Sequence, residues 1–265
     1  MSTSSAFTAA RAEGRAALVG YLPAGFPDVA GAIEGLRTMV DAGCDVIEIG
    51  LPYSDPVMDG PTIQAAAQQA LEAGTRTTDV LRTVEAVAAT GVPTVVMTYW
   101  NPICRYGVER FAKDLASAGG AGLITPDLVP DEAESWVGVA DELGLDKVFL
   151  VAPSSTDERL RMTTEACRGF VYATAVMGVT GARESSSDLA GPLVARARTV
   201  TTLPVGVGLG VSNGDQAAEV AGFADGVIVG SAFVRRLLDA GTDRAAGLAS
   251  LAELTRDLAD GVRRA

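Results

Sequence analysis

LPVGVGLGVSNGDQAAEVAGFADGVIVGSAF, residues 203–233, holds two short apolar runs, LPVGVGL (203–209) and GVIVGSA (226–232). Between them lies a stretch of helical character, DQAAEVAG (215–222). Both runs are apolar at consecutive rather than alternate positions, the pattern of a strand covered on both faces in a parallel sheet. Each leads through glycine into a helix, and Asn213 stands where the N-cap of the first should be. The unit is strand, helix, strand, and the rest of the chain repeats it.

Six further runs precede this one: AALVGYL (16–22), DVIEIGL (45–51), PTVVMTY (93–99), GLITPDL (122–128), KVFLVAP (147–153) and FVYATAV (170–176). Helical stretches separate or follow them. AGAIEGLRTMVDAG (30–43) carries Ile33, Leu36, Met39 and Val40 on one stripe, and DEAESWVGVADELG (131–144) and the terminal stretch 233–262 are similar. Asp28, Asp131 and Asp157 stand at expected N-caps. No linker or low-complexity stretch divides the series. Eight βα units in about 250 residues predict a single (β/α)8 TIM barrel over residues 1–265, with extra helices. A doubly wound open sheet competes, but it seldom uses eight evenly spaced units.

Composition narrows the chemistry. The chain has 265 residues, 48% of them hydrophobic, so the core needs no disulfide or structural metal. Lys plus Arg number 21 against 33 Asp plus Glu, a net charge of −12 that argues against nucleic acid and anionic membranes. A small phosphate ester is still admissible, because backbone N–H groups bind one without help from net charge. There is no histidine, which excludes His-ligated metals and a Ser-His-Asp triad. Cys44, Cys104 and Cys167 are far apart and read as reduced core thiols of a cytoplasmic protein. No run is long enough for a membrane span, and the N-terminus lacks the apolar block of a secretory signal.

In a barrel of this kind the chemistry sits at the C-terminal strand ends. The window DVIEIGLPYSDPVMDGPTIQ (45–64) is the most unusual. Glu48 lies inside an apolar strand, where an unpaired carboxylate is costly to bury. If Val46 and Glu48 share one face and Ile47 and Ile49 the other, Glu48 points into the barrel mouth. It is then either an acid–base group with a raised pKa or the partner of a core arginine. The following loop carries Asp55 and Asp59 among Pro52, Pro56 and Pro61, which stiffen it. Either Asp could instead serve a turn or a cap. Glycines at GVTG (178–181), GVGLGVSN (206–213) and VGSAF (229–233) follow the last three strands and read as a phosphate cradle. Tyr21, Tyr99 and Tyr172 end strands and together could form a slot for a planar ring. Lys113 and Lys147 fall away from the strand ends, so a Schiff-base aldolase does not fit.

These residues resemble the alpha chain family of tryptophan synthase over nearly the whole length. EIGLPYSDPVMDGPTIQ (48–64) carries the likeness most specifically, supported by GYLPAGFPD (20–28), MTYWNPI (97–103), PDLVPDE (126–132), GVTG (178–181), GLGVS (208–212) and GSA (230–232). The resemblance implies a lyase of tryptophan biosynthesis that splits indole-3-glycerol phosphate into indole and glyceraldehyde 3-phosphate by retro-aldol cleavage. It implies no metal and no cofactor in this chain, and a beta chain partner that uses pyridoxal phosphate, in an α2β2 heterotetramer. By position it makes Glu48 the acid–base group and Asp59 the partner of the ring N–H. Tyr21, Tyr99, Tyr172 and Thr180 would bind substrate, and Gly181, Gly210, Gly230 and Ser231 would hold its phosphate. The chain departs from the family at Ala175-Val176-Met177, where Ser-Arg-x is commoner, just ahead of the loop expected to close over the substrate. Two other readings compete: a phosphosugar isomerase or epimerase, which would need a His, metal or placed Lys, and a barrel kept only to activate its partner.

Overall fold

In a computed structural model of the chain, which describes residues 2–174 and 187–265, eight parallel strands close on themselves in sequence order. They are β1 (Ala17–Pro23), β2 (Val46–Gly50), β3 (Thr94–Met97), β4 (Gly122–Thr125), β5 (Asp146–Val151), β6 (Val171–Thr174), β7 (Val205–Gly208) and β8 (Gly226–Val229). Closure runs through β8 and β1, with Val19 opposite Ile228. This is the predicted (β/α)8 barrel. Thr180, Gly181 and the Ala175-Val176-Met177 segment lie outside the described residues.

The strands are shorter than the apolar runs that announce them. In β3 and β4 the trailing residues, such as Thr98-Tyr99 and Pro126–Leu128, leave the sheet to build loops at the mouth. Side chains alternate between two apolar compartments. Leu18, Leu22, Ile47, Ile49, Val96 and Leu123 face the helices, while Val19, Val46, Val95, Ile124, Val148 and Ile228 fill the lumen. Every strand is covered on both sides, which is why its sequence is continuously apolar.

Three local expectations are corrected. Asp28 and Asn213 do cap helices, accepting from Gly31 N–H and Gln216 N–H. Asp157, however, is the first helical residue, and Thr156 caps that helix through Arg159 N–H at 3.2 Å. Its carboxylate instead meets the positive end of the helix dipole. Asp131 falls in a short 3-10 turn, Pro130–Glu132, and the next helix starts only at Glu134. Cys104 is not a core thiol: it lies on the exposed face of helix Trp100–Tyr106, whereas Cys44 and Cys167 are buried. The terminal stretch divides into Ser231–Ala240 and Arg244–Gly261, broken at Gly241, whose φ of +57 few other residues adopt. Among the described residues no helix is long and apolar enough to cross a membrane.

The N-terminal helix Thr3–Ala12 seals the bottom of the lumen. Phe7 and Ala10, three residues apart and so on one face, point inward, and the Phe7 ring lies 5.1 Å from that of Phe170. Asp146, fully buried at the start of β5, anchors the helix. It accepts from Thr3 N–H and the Thr3 hydroxyl, both at 2.7 Å, and from the Ser2 hydroxyl at 2.9 Å. Asp146→Ala would strip these donors of their acceptor. Stability is expected to fall by about 2–4 kcal/mol in urea unfolding, and an unchanged midpoint would place the anchor elsewhere, in Phe7.

Candidate active site

Glu48 is the third of the five residues of β2, a strand whose alternation fixes its direction. Val46 is in the lumen and Ile47 and Ile49 face the helices, so Glu48 projects into the lumen above Val46. It is 1% exposed, and its Oε2 has no hydrogen-bond partner. Among the described residues no arginine pairs with it, which counts against the paired-carboxylate reading. Burial in this apolar setting penalises the charged form and lifts its pKa from 4.5 to about 8.

Around it the three tyrosines converge. Tyr21 is the register partner of Glu48 on β1, and β1 alternates so that Ala17 and Val19 share its inward face. Its proton affinity is raised by burial first, then by Asp59, Glu48, Tyr99 and Tyr172, so all five groups share one electrostatic site. The ring leans across to β2: a Cβ on Gly50 would run into the Tyr21 hydroxyl and ring. Tyr172 leans the other way, and a Cβ on Gly208 of β7 would meet its hydroxyl. Burial and the nearby Glu48 keep the Tyr172 phenol protonated.

Asp59 comes from the loop after β2. The Tyr99 hydroxyl donates to its Oδ1 at 3.0 Å and accepts from Met58 N–H at 2.9 Å, tying the loop to the end of β3 at two points. The Gln64 side chain holds the Asp59 carbonyl at 2.7 Å. Burial raises the Asp59 pKa, and the Tyr99 bond partly offsets that. Asp55 is not brought in: it is exposed and accepts from the Ser54 hydroxyl at 2.5 Å. Neither lysine enters the site. Lys147 pairs with Asp141 at 2.5 Å, and Lys113 with Glu109 on its own helix. Among the described residues no cluster could hold a metal.

Two glycine turns rim the mouth beside β7 and β8. Gly210 has φ +72, a left-handed turn just past β7, and Gly230 precedes helix Ser231–Ala240, whose N-terminus no side chain caps. Its first-turn N–H groups point to the mouth, suited to an anion. The sequence reading missed other residues here. Met97 and Leu150 are half-buried members of the lumen face, in alternation with Val95 and Val148. That alternation was the available signal. Asp127, whose carboxylate takes Trp100 N–H at 2.9 and 3.1 Å, fixes the helix following Tyr99. Asn101 donates to the Tyr53 hydroxyl at 3.1 Å, and the Tyr53 ring lies 5.2 Å from that of Tyr99.

The family model of the tryptophan synthase alpha chain matches residues 7–263. The chain belongs to that family. A tryptophan synthase alpha chain from Acidothermus cellulolyticus is 64% identical over 254 residues, covering 96% of this chain and 94% of the relative. A solved structure of Mycobacterium tuberculosis tryptophan synthase superposes with a TM-score of 0.92 at 55% identity, covering 98% of each chain. The tryptophan synthase alpha subunit of Legionella pneumophila keeps a TM-score of 0.89 at only 30% identity, covering 99% of this chain and 98% of its own. The alpha-family barrel thus persists at 30% identity.

The raised pKa has a consequence for stability. Between 4.5 and about 8 the folded chain holds a proton on Glu48 that the unfolded chain has lost. Stability from this group is therefore complete below 4.5 and declines as pH rises to about 8, by up to about 5 kcal/mol at ~1.4 kcal/mol per unit. Glu48→Gln removes the titration. Relative to the parent, the variant should gain stability steadily from pH 5 to pH 8.5 in chemical unfolding. A pH-independent difference would mean that Glu48 titrates normally.

Proposed function

We infer that this chain catalyses the alpha reaction of tryptophan synthase, cleaving indole-3-glycerol phosphate to indole and glyceraldehyde 3-phosphate. The observation that carries the reading is the unpartnered Glu48 carboxyl in the lumen, sharing one tyrosine-walled site with Asp59. Held neutral by burial, Glu48 enters the reaction as an acid and protonates indole C3. Asp59 takes up the ring N–H as positive charge develops on nitrogen. The resulting Glu48 carboxylate then accepts the proton of the side-chain hydroxyl next to C3. The carbon–carbon bond breaks, its electron pair returns to the ring, and the aldehyde leaves. Glu48 ends protonated, as it began, so no net proton is consumed.

Tyr21, Tyr99 and Tyr172, with Thr180, bind the indole and glycerol portions. Gly210, Gly230, Ser231 and Gly181 hold the phosphate, supported by the left-handed turn at Gly210 and the uncapped helix at Ser231. The chemistry uses no metal or cofactor of this chain; pyridoxal phosphate belongs to the beta chain. We assign residues 1–265 to one catalytic domain acting in the cytoplasm. The beta chain is the partner, in an α2β2 assembly seated over the mouth. Three apolar side chains support that placement: Val57, Val129 and Leu189, exposed by 68%, 39% and 53%, follow β2, β4 and β6.

Glu48→Gln keeps shape and removes proton transfer. Indole release is expected to fall at least ~10²-fold while substrate still binds in equilibrium titration. A variant that keeps most of its activity would make Glu48 structural. Beta chain docking over the loop that carries Asp59 should reposition it, and a displacement of about 1 Å is worth roughly 10²-fold in rate. Adding beta chain should therefore raise indole release by about one to two orders of magnitude. By reciprocity, a non-cleavable phosphate analogue should tighten the complex. If neither rate nor dissociation constant moves, the chain acts alone.

A further inference from the structure

We infer that the Tyr21 hydroxyl is a positioning donor for Glu48, receiving its carboxylate in the half of the cycle when it has given up its proton. The inference deepens the proposed function and rests on its assignment of Glu48 as the proton carrier.

The two residues are paired across β1 and β2, Tyr21 opposite Glu48, and by alternation each shares the inward face of a lumen residue, Val19 and Val46. The Tyr21 ring tilts toward β2 and fills the space that a side chain at Gly50 would take. Gly50 is two residues beyond Glu48 on the same strand face, so the phenol oxygen sits one pleat above the carboxyl. Each group lacks what the other offers. Glu48 Oε2 is buried without a donor, and among the described residues the Tyr21 hydroxyl makes no hydrogen bond. No hydrogen bond links the two side chains in the structure, and while Glu48 is neutral such a bond would be only an ordinary neutral one. Once Glu48 is ionised, it is a buried anion in need of a donor, and a phenol bond to a carboxylate is a strong one.

The other titratable groups facing Glu48 do not fill this role. Asp59 is an acceptor when ionised, and the Tyr99 hydroxyl already donates to Asp59. Tyr172 approaches Glu48 electrostatically, but its hydroxyl lies against Gly208 on the far side of the lumen. Burial, and then the nearby Asp59 and Glu48, hold the Tyr21 phenol in its protonated, donating form. Tyr21 transfers no proton; it lowers the penalty of the charged intermediate state.

The test is the pH profile of kcat/KM for indole release, which reports the free enzyme's acid. It is measured in the parent, Tyr21→Phe, Tyr172→Phe and Glu48→Gln. Tyr21→Phe keeps the ring and should move the alkaline limb upward by about half to one pH unit. It should lower kcat about 3- to 10-fold and change KM less than about twofold, since one charge-assisted hydrogen bond is lost. Tyr172→Phe should leave the limb in place. If Tyr21→Phe shifts neither limb nor kcat, or Tyr172→Phe alone shifts the limb, the inference is overturned while the assignment of Glu48 stands. If Glu48→Gln retains activity, the proposed function itself fails. Replacement of Tyr21 by 3-fluorotyrosine, which keeps the hydroxyl, should preserve the parent kcat; a loss as large as that of Tyr21→Phe would point to packing of the ring.

Discussion

A carboxyl group sealed in an apolar lumen with one oxygen unpartnered governs the rest of this molecule. Burial without a counter-charge is unfavourable for the ionised form, and among the described residues no cation pairs with it. The group therefore stays neutral at ordinary pH, and that neutrality is what a proton donor to carbon needs. A paired arginine would make the site more comfortable and leave it without an acid.

Keeping Glu48 dry requires the lumen to be closed below it. Valine and isoleucine from six strands form the layer beneath, and Phe7 of the N-terminal helix packs under Phe170. Asp146 holds that helix at the other end of the barrel, so a buried carboxylate with three donors anchors the fold, while the one with an unpartnered oxygen is the one assigned the proposed chemistry. Above Glu48 the walls are tyrosines, whose rings exclude water while their hydroxyls remain available as donors. Small residues make this possible: Gly50 and Gly208 leave the space into which the Tyr21 and Tyr172 rings lean. Tyr99 then joins the strand framework to the loop, fixing Asp59 by its hydroxyl.

The barrel was legible because strands covered on both faces must be apolar throughout, and eight such runs have few ways to close. Glu48 was legible for the same reason, as a charge inside a run that otherwise has none. Asp55 and Asp59 were not separable by sequence, since both sit in the same proline-rich loop; the Tyr99 hydroxyl, 40 residues away, selects one of them. The N-terminal helix was missed as a plug because Phe7 and Ala10 give it only a short apolar face. Cys104 was misjudged because a lone thiol in a short helix carries no sign of which way it faces. The glycine loops showed where an anion could bind, although the part of the cradle at Thr180 and Gly181 lies outside the described residues.

The central claim is that Glu48 is uncharged in the folded chain at neutral pH. Its carboxyl can be titrated directly by carbon-13 NMR on the folded, unliganded protein, with Glu48→Gln used to assign the signal. The account predicts a midpoint near 8, as burial alone dictates. A midpoint near the ordinary 4.5 would contradict it, because Glu48 would then be a carboxylate throughout and could not supply the proton.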